Sequence, residues 1–127
     1  MSAPSGVSGT AEPALRFGPF SLFPKQRRLY LEGRPVRLGS RALEILVHLV
    51  EHRGELVEKE DLIYAVWPRT TVDENNLKVH ISALRRAMGD RNRTYLETVA
   101  GRGYRFIAPV EQAEYAAAPS PAGLKIG

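Results

Sequence analysis

The stretch from Asp73 to Met88, DENNLKVHISALRRAM, constrains the fold of this chain more than any other. Placed on a helix at about 100° per residue, Leu77, Ile81, Leu84 and Met88 fall on one narrow stripe that has to lie against a core. The opposite face carries Asn75, Val79, Ser82 and Arg86, with Asn76 and Ala83 on one flank and Lys78 and Arg85 on the other. An exposed Val among small residues, amides and cations makes a poor solvent face. It makes a good major-groove face, because Asn pairs with adenine, Val touches a thymine methyl, and Arg reaches guanine or phosphate. Asp73 is the expected N-cap, and Val72 with Leu77 has the spacing of a hydrophobic staple.

The 127 residues suit one domain with tails, here residues 15–110 between a tail over 1–14 and a linker over 111–127. Formal net charge is +4, and its distribution says more than its total. Glu51 to Asp61 holds two positive and five negative residues, a net of −3, whereas Glu74 to Arg105 holds seven positive and three negative, a net of +4. The basic charge therefore coincides with the amphipathic helix, as a polyanion-binding segment requires. With no cysteine, a disulfide framework and a thiolate metal site are both excluded. No apolar run approaches the roughly 20 residues of a membrane span, and the N-terminus lacks the features of a secretory signal. A cytoplasmic location is expected.

Upstream, Leu15 to Gly39 alternates apolar and polar residues between turn signals such as Gly18-Pro19 and Gly33-Arg34-Pro35, which predicts an antiparallel meander. In it Leu29, Leu31, Val36 and Leu38 would be buried, and Arg28, Tyr30 and Glu32 exposed. SRALEILVHLVEHRG reads as a core helix capped by Ser40 and stopped at Gly54. KEDLIYAVWP reads as a short helix with acidic residues in its first turn, ended by Pro68. Downstream of Gly89-Asp90, Tyr95 to Ala100 and Tyr104 to Ala108 read as strands joined by the turn Gly101-Arg102-Gly103, a hairpin whose tip carries an arginine.

The order of meander, three helices and hairpin, with RALEILVHLVEHRGELVEKEDLIYAVWP, NNLKVHISALRRAMGD and ETVAGRGYRF in place, resembles the OmpR/PhoB family of bacterial transcription regulators over about Phe17 to Pro109. The resemblance implies an α+β winged helix-turn-helix with an N-terminal antiparallel β-meander, three helices and a C-terminal β-hairpin wing. It implies sequence-specific binding to double-stranded promoter DNA, with the helix over 74–88 in the major groove and a wing arginine in the minor groove. Carried over by position, Asn76, Val79 and Ala83 would read bases, while Asn75, His80, Ser82, Arg85 and Arg86 would contact phosphates. Trp67 would lie near the backbone, Arg105 would match the wing arginine, and Arg102 would occupy the turn before it. Ser82 and Ala83 stand where many members carry arginine, which implies a different preferred sequence. The family also implies polymerase contact through the loop from Pro68 to Val72, monomers in isolation, and tandem pairs on DNA. The placement resembles the branch in which this domain comes first, ahead of a transmembrane sensor of the CadC/ToxR kind or a large ATPase, with tethering to the inner membrane in the first case.

Other readings compete at particular residues. Arg85 is equally a phosphate contact or an intramolecular partner of Asp90 or Glu97. Trp67 and His80 suit a core edge as well as a phosphate contact. The acidic surface from Glu58 to Asp61, or the Pro68 to Val72 loop, would suit a protein-interaction module that contacts RNA polymerase or a partner domain. His48 to His52 spells the H-x-x-E-H of some metalloproteases, but it lies on a helix that is apolar round most of its circumference and has no downstream third ligand. Gly101-Arg102-Gly103 begins a dinucleotide-binding pattern, but a strand follows where a helix is needed. No catalytic residues, cofactor or metal are expected.

Overall fold

The computed structural model describes residues 12–89 and 94–115. In chain order the elements are β1 (Glu12–Phe17), β2 (Phe20–Phe23), β3 (Arg28–Leu31), β4 (Arg34–Pro35), α1 (Ser40–Glu51), β5 (Leu56–Glu58), α2 (Lys59–Val66), α3 (Glu74–Met88), β6 (Leu96–Val99), β7 (Gly103–Phe106) and β8 (Glu111–Tyr115). They form two compact units, one drawn from the segments before Arg37 and after Pro109, the other spanning Arg37–Pro109.

The first unit is an antiparallel sheet in the order β4-β3-β2-β1-β8. Two boundaries differ from the sequence reading. Strand β1 starts at Glu12, inside the expected tail, and residues 111–115 form a strand where a linker was expected, pairing Glu12 with Tyr115 through to Arg16 with Glu111. Backbone pairing along the open edge of β1 explains the order. A strand can form on such an edge whatever its own polarity, which is why composition gave no warning. Tyr30 is a second correction. It is buried rather than exposed, packed edge-on against Phe23 with ring centroids 5.6 Å apart in a cluster with Ala14. Leu29 is buried as well, so both faces of β3 are covered, whereas Leu31, Val36 and Leu38 are only half-buried.

The second unit packs three helices with the sheet β5-β7-β6. Helix α1 buries Ala42, Leu43, Ile45, Leu46, Val47, Leu49 and Val50, as its nearly all-round apolar pattern requires. Its N-cap is Gly39 without a side-chain cap bond, and Ser40 is already helical, one residue off the predicted start. Beyond the C-cap at His52, Gly54 takes a φ of +84° and its N–H donates to the Phe106 carbonyl at 2.8 Å, joining the end of α1 to β7. Helix α2 ends at Val66, ahead of Pro68. Strand β7 is the centre of its sheet, with Leu56, Val57 and Glu58 opposite Arg105, Tyr104 and Gly103 on one side, and Leu96 to Val99 opposite Phe106 to Gly103 on the other. Both hairpin strands are shorter than predicted: the turn at Gly101, whose φ is +74°, removes Ala100, and regular pairing ends at Leu96 and Phe106 on the far side, where the Ile107 N–H still donates to the Tyr95 carbonyl at 2.9 Å.

Gly103 lets two strands meet. A Cβ there would stand 2.1 Å from the Val57 carbonyl oxygen and 2.9 Å from the Glu58 Cα, both backbone atoms that cannot rotate away. Gly103→Ala should therefore force β5 and β7 apart and destabilise the unit by about 1–3 kcal/mol, as overpacking does. Urea titration followed by circular dichroism measures this, and an unchanged midpoint would show that the strands yield freely.

Candidate nucleic-acid interface

Helix α3 has a defined rotation because one stripe is buried and both ends are capped. Leu77, Ile81, Leu84 and Met88 are the buried positions. At the start, the Asp73 carboxylate accepts from the Asn76 N–H at 3.2 Å, as its sequence position predicted. At the end, Gly89 adopts the left-handed conformation with φ 64°. Glu74 in the first turn and Arg85 and Arg86 in the last suit the helix dipole.

With that rotation, Asn75, Asn76, Lys78, Val79, Ser82 and Arg86 are exposed together, and Ala83 is half-exposed at their border. Val79 is the most informative, since 64% of its surface is open to solvent on a helix that buries four other apolar side chains. The exposed face combines amide donors and acceptors, a methyl-bearing side chain and cations at groove-reading spacing.

His80 is half-buried, with its ring centroid 5.5 Å from that of Trp67. Trp67 is half-buried in turn, with the Arg41 guanidinium 5.9 Å from its ring centroid and donating to the Val66 carbonyl at 3.0 Å. His80, Trp67 and Arg41 thus form a packed rim beside the α3 face. Arg41 was absent from the sequence reading, since nothing in its local pattern relates it to a residue 26 positions on.

Arg85 is half-buried and does not share the open face. Its Nη2 donates to the Leu96 carbonyl at 3.0 Å and to Thr98 Oγ1 at 2.7 Å, both on β6. Of the two readings held open for it, the intramolecular one fits this geometry, although with other partners than those considered: Glu97 pairs with Arg105, and Asp90 lies outside the described residues.

The hairpin arginines also part company. Arg102 sits in the turn and is exposed, its Nη2 3.4 Å from Glu58 Oε2, while its carbonyl accepts from the Lys59 N–H at 3.0 Å. Arg105, matched to the wing arginine on sequence, lies on the middle strand directly opposite Glu97 and donates to it at 3.0 Å. Two residues of β7, Gly103 and Tyr104, separate Arg105 from the turn, where Arg102 stands.

Lys59 and Glu74 form an ion pair at 2.9 Å that joins the starts of α2 and α3, and Lys78 stands 4.0 Å from the same carboxylate. The Lys59 hydrogen bond is the main reason the Glu74 carboxyl titrates below its ordinary value, and the same bond raises the Lys59 ammonium. On α1, His48 and His52 stack with ring centroids 4.4 Å apart, and burial first, then the neighbouring His52, lowers the pKa of His48. Parallel stacking does not converge two ring nitrogens on a common ion. Among the described residues no group of three or more metal-binding side chains comes together, and no helix among them is long and apolar enough to cross a membrane.

Residues 33–106 match the family described as "Transcriptional regulatory protein, C terminal". The Escherichia coli protein described as "Transcriptional activator CadC" is 31% identical over 102 residues, covering 78% of this chain and 20% of that protein. The solved DNA-binding domain of E. coli CadC superposes with a TM-score of 0.70 at 30% identity, covering 80% of this chain and 98% of that one. The DNA-binding domain of Klebsiella pneumoniae RstA, solved in complex with the RstA box, superposes with a TM-score of 0.65 at 26% identity over 74% of this chain and 96% of that one. The chain spans less than half the length of the curated relatives it matches.

A pH dependence follows from Glu74. Because its folded-state pKa is depressed, its contribution to stability is present above the ordinary carboxylate range and is lost as pH falls through the lowered value. Both partners are substantially solvated, so the effect is small. In urea titrations Glu74→Gln should lower the midpoint near neutral pH and match the wild type below the carboxylate range. A difference that persisted in acid would assign the loss to something other than the ion pair.

Proposed function

The chain belongs to the transcriptional regulatory protein C-terminal family, whose fold is the winged helix of DNA-binding regulators rather than of enzymes, and from that premise we propose that it binds promoter DNA sequence-specifically. In this reading α3 enters the major groove and the hairpin β6–β7 lies over the adjacent minor groove. Asn76, Val79 and Ala83 meet base edges, and Asn75, Lys78, Ser82 and Arg86 meet or approach phosphates. Arg102, at the turn, is the wing residue best placed for a narrow minor groove. His80 and Trp67 supply a rim against the sugar-phosphate backbone.

The observation that carries the proposal is the open face of α3, where a Val that is 64% exposed is surrounded by amides and cations on a helix held in one rotation. Burial of the opposite stripe accounts for four residues of the helix and leaves this composition unexplained unless it meets a surface. RstA, a structural relative, is described in complex with its own DNA box, which supports the same use of the fold here.

A second reading draws on a different surface. The loop from Pro68 to Val72, with Glu60, Ile63, Tyr64 and Trp67, lines a groove of about 500 Å³, and Tyr64 at its edge is 72% exposed. We propose this groove as the contact for RNA polymerase, a role compatible with DNA binding because it shares only Trp67 with the DNA-facing residues. The domain is proposed to act as a monomer that lines up in tandem on DNA, in the cytoplasm or tethered to the inner membrane through segments beyond these residues.

The test is fluorescence anisotropy with duplexes selected by the protein from a randomised library, set against scrambled duplexes. Asn76→Ala with Val79→Ala should lower the ratio of selected to scrambled affinity by about 10-fold or more, since each base contact is worth about 1–3 kcal/mol. Arg86→Ala should weaken both duplexes alike and reduce the salt slope by about 1. Unchanged discrimination in the double variant would reject base reading by α3.

A further inference from the structure

Arg85 is the one cation of the α3 C-terminal turn whose guanidinium is turned toward the protein. Its Nη2 bridges two acceptors on the same strand, the Leu96 carbonyl at 3.0 Å and the Thr98 hydroxyl at 2.7 Å, and its Nε is closed off from solvent. Both bonds leave the one Nη2, whose two N–H groups lie in the plane of the guanidinium, so two acceptors two residues apart fix the plane of the group as well as its position. A lysine ammonium is a point charge on a flexible stem and cannot impose that geometry. The neighbouring Arg86 points to solvent, so the last turn of α3 divides its cations between two directions.

The two acceptors are not incidental parts of the hairpin. Leu96 is fully buried at the base of β6, paired with Phe106, while Thr98 lies further toward the turn, opposite Tyr104. Arg85 therefore grips β6 at two successive points along its length, and a strand held at two points cannot pivot relative to the helix. The hydrogen bond to the Thr98 hydroxyl is the shorter one. It is also the exposed one, so it can be removed without opening the core.

We infer that Arg85 is a positioning residue that sets the angle between α3 and the hairpin through Leu96 and Thr98, rather than a ligand of phosphate. A duplex presents adjacent major and minor grooves at a spacing fixed by its own geometry. A protein that engages both has to hold its two elements at a matching spacing before contact, or lose affinity to ordering them on binding. The inference rests on the proposed DNA reading for its consequence, but the positioning itself exists in the free protein and is measurable there.

Thr98→Val keeps the shape and strand preference of the side chain and deletes only the acceptor, and Arg85→Lys keeps the charge and deletes the fork. In the free 127-residue protein, residual dipolar couplings of amides in α3 and in β6–β7 should fit one rigid orientation for the wild type, and should require averaging in both variants. With the library-selected duplex, both variants should lose about 3- to 10-fold in affinity, the worth of a hydrogen bond of this kind. The salt slope should stay that of the wild type, because no phosphate contact is removed. If instead both variants keep wild-type couplings and affinity, the inference is wrong; if Arg85→Ala lowers the salt slope by about 1 while Thr98→Val changes nothing, Arg85 is a phosphate ligand and the inference is likewise wrong. If the wild-type protein selects no duplex from the library, DNA reading fails, and the dipolar couplings alone decide whether Arg85 holds the hairpin.

Discussion

Burial of Leu77, Ile81, Leu84 and Met88 along one side of α3 is the contact on which the functional surface depends. Leu77 and Leu84 have no exposed surface and Ile81 has 2%, so each contributes about 1.5–3 kcal/mol through the water it no longer contacts. The stripe is narrow and the helix has a cap at each end, so neither rotation nor sliding is available without exposing one of these side chains. Which residues face outward is decided by what has to face inward. Val79 is exposed because it lies across the helix from Ile81 and Leu84, and a rotation large enough to bury it would cost more than its own burial returns.

Around that fixed helix, charge is arranged in pairs. Glu74 faces Lys59 and lies near Lys78, Glu58 faces Arg102, and Glu97 faces Arg105. These pairs are at least partly solvated and individually weak, so phosphate can replace a carboxylate partner at small cost. The region from Glu74 to Arg105 keeps a net positive balance while several of its cations are held by these pairs. The pairs also knit the unit together, since Glu58 and Lys59 stand at the start of α2, Glu74 at the start of α3, and Arg102 at the hairpin turn. Arg85 differs from this pattern in that it donates to a carbonyl and a hydroxyl of β6.

The sequence made the periodic and capped features legible and left the non-local ones hidden. The span of α3 and the bond from Asn76 to Asp73 followed from local spacing, because helix period and capping act over one or two turns. So did the hairpin, through Gly101 and Gly103. Features that depend on residues distant in the chain were misread or missed. Tyr30 was placed outside by strict alternation, which fails here because Phe23 and Ala14 cover its face while Leu29 on the opposite face is buried too. Strand β8 was read as a linker because the segment from Glu111 onward is rich in Ala and Pro, although an edge strand is held by backbone bonds. Arg105 was matched to the wing arginine on motif alone, and its pairing with Glu97, which follows from strand register, was not considered. The contact from Arg85 to Thr98 spans 13 positions and has no local signature at all.

The measurement that bears most directly on the proposed surface is a titration of isotopically labelled protein with a selected duplex, followed by amide chemical shifts. Changes should concentrate on the exposed residues from Asn75 to Arg86 and on the turn around Arg102, with Tyr30 and the rest of the first sheet little affected. Changes confined to the first sheet or to the loop from Pro68 to Val72, with α3 and the turn silent, would contradict a groove-reading helix and leave the open face of α3 without a function.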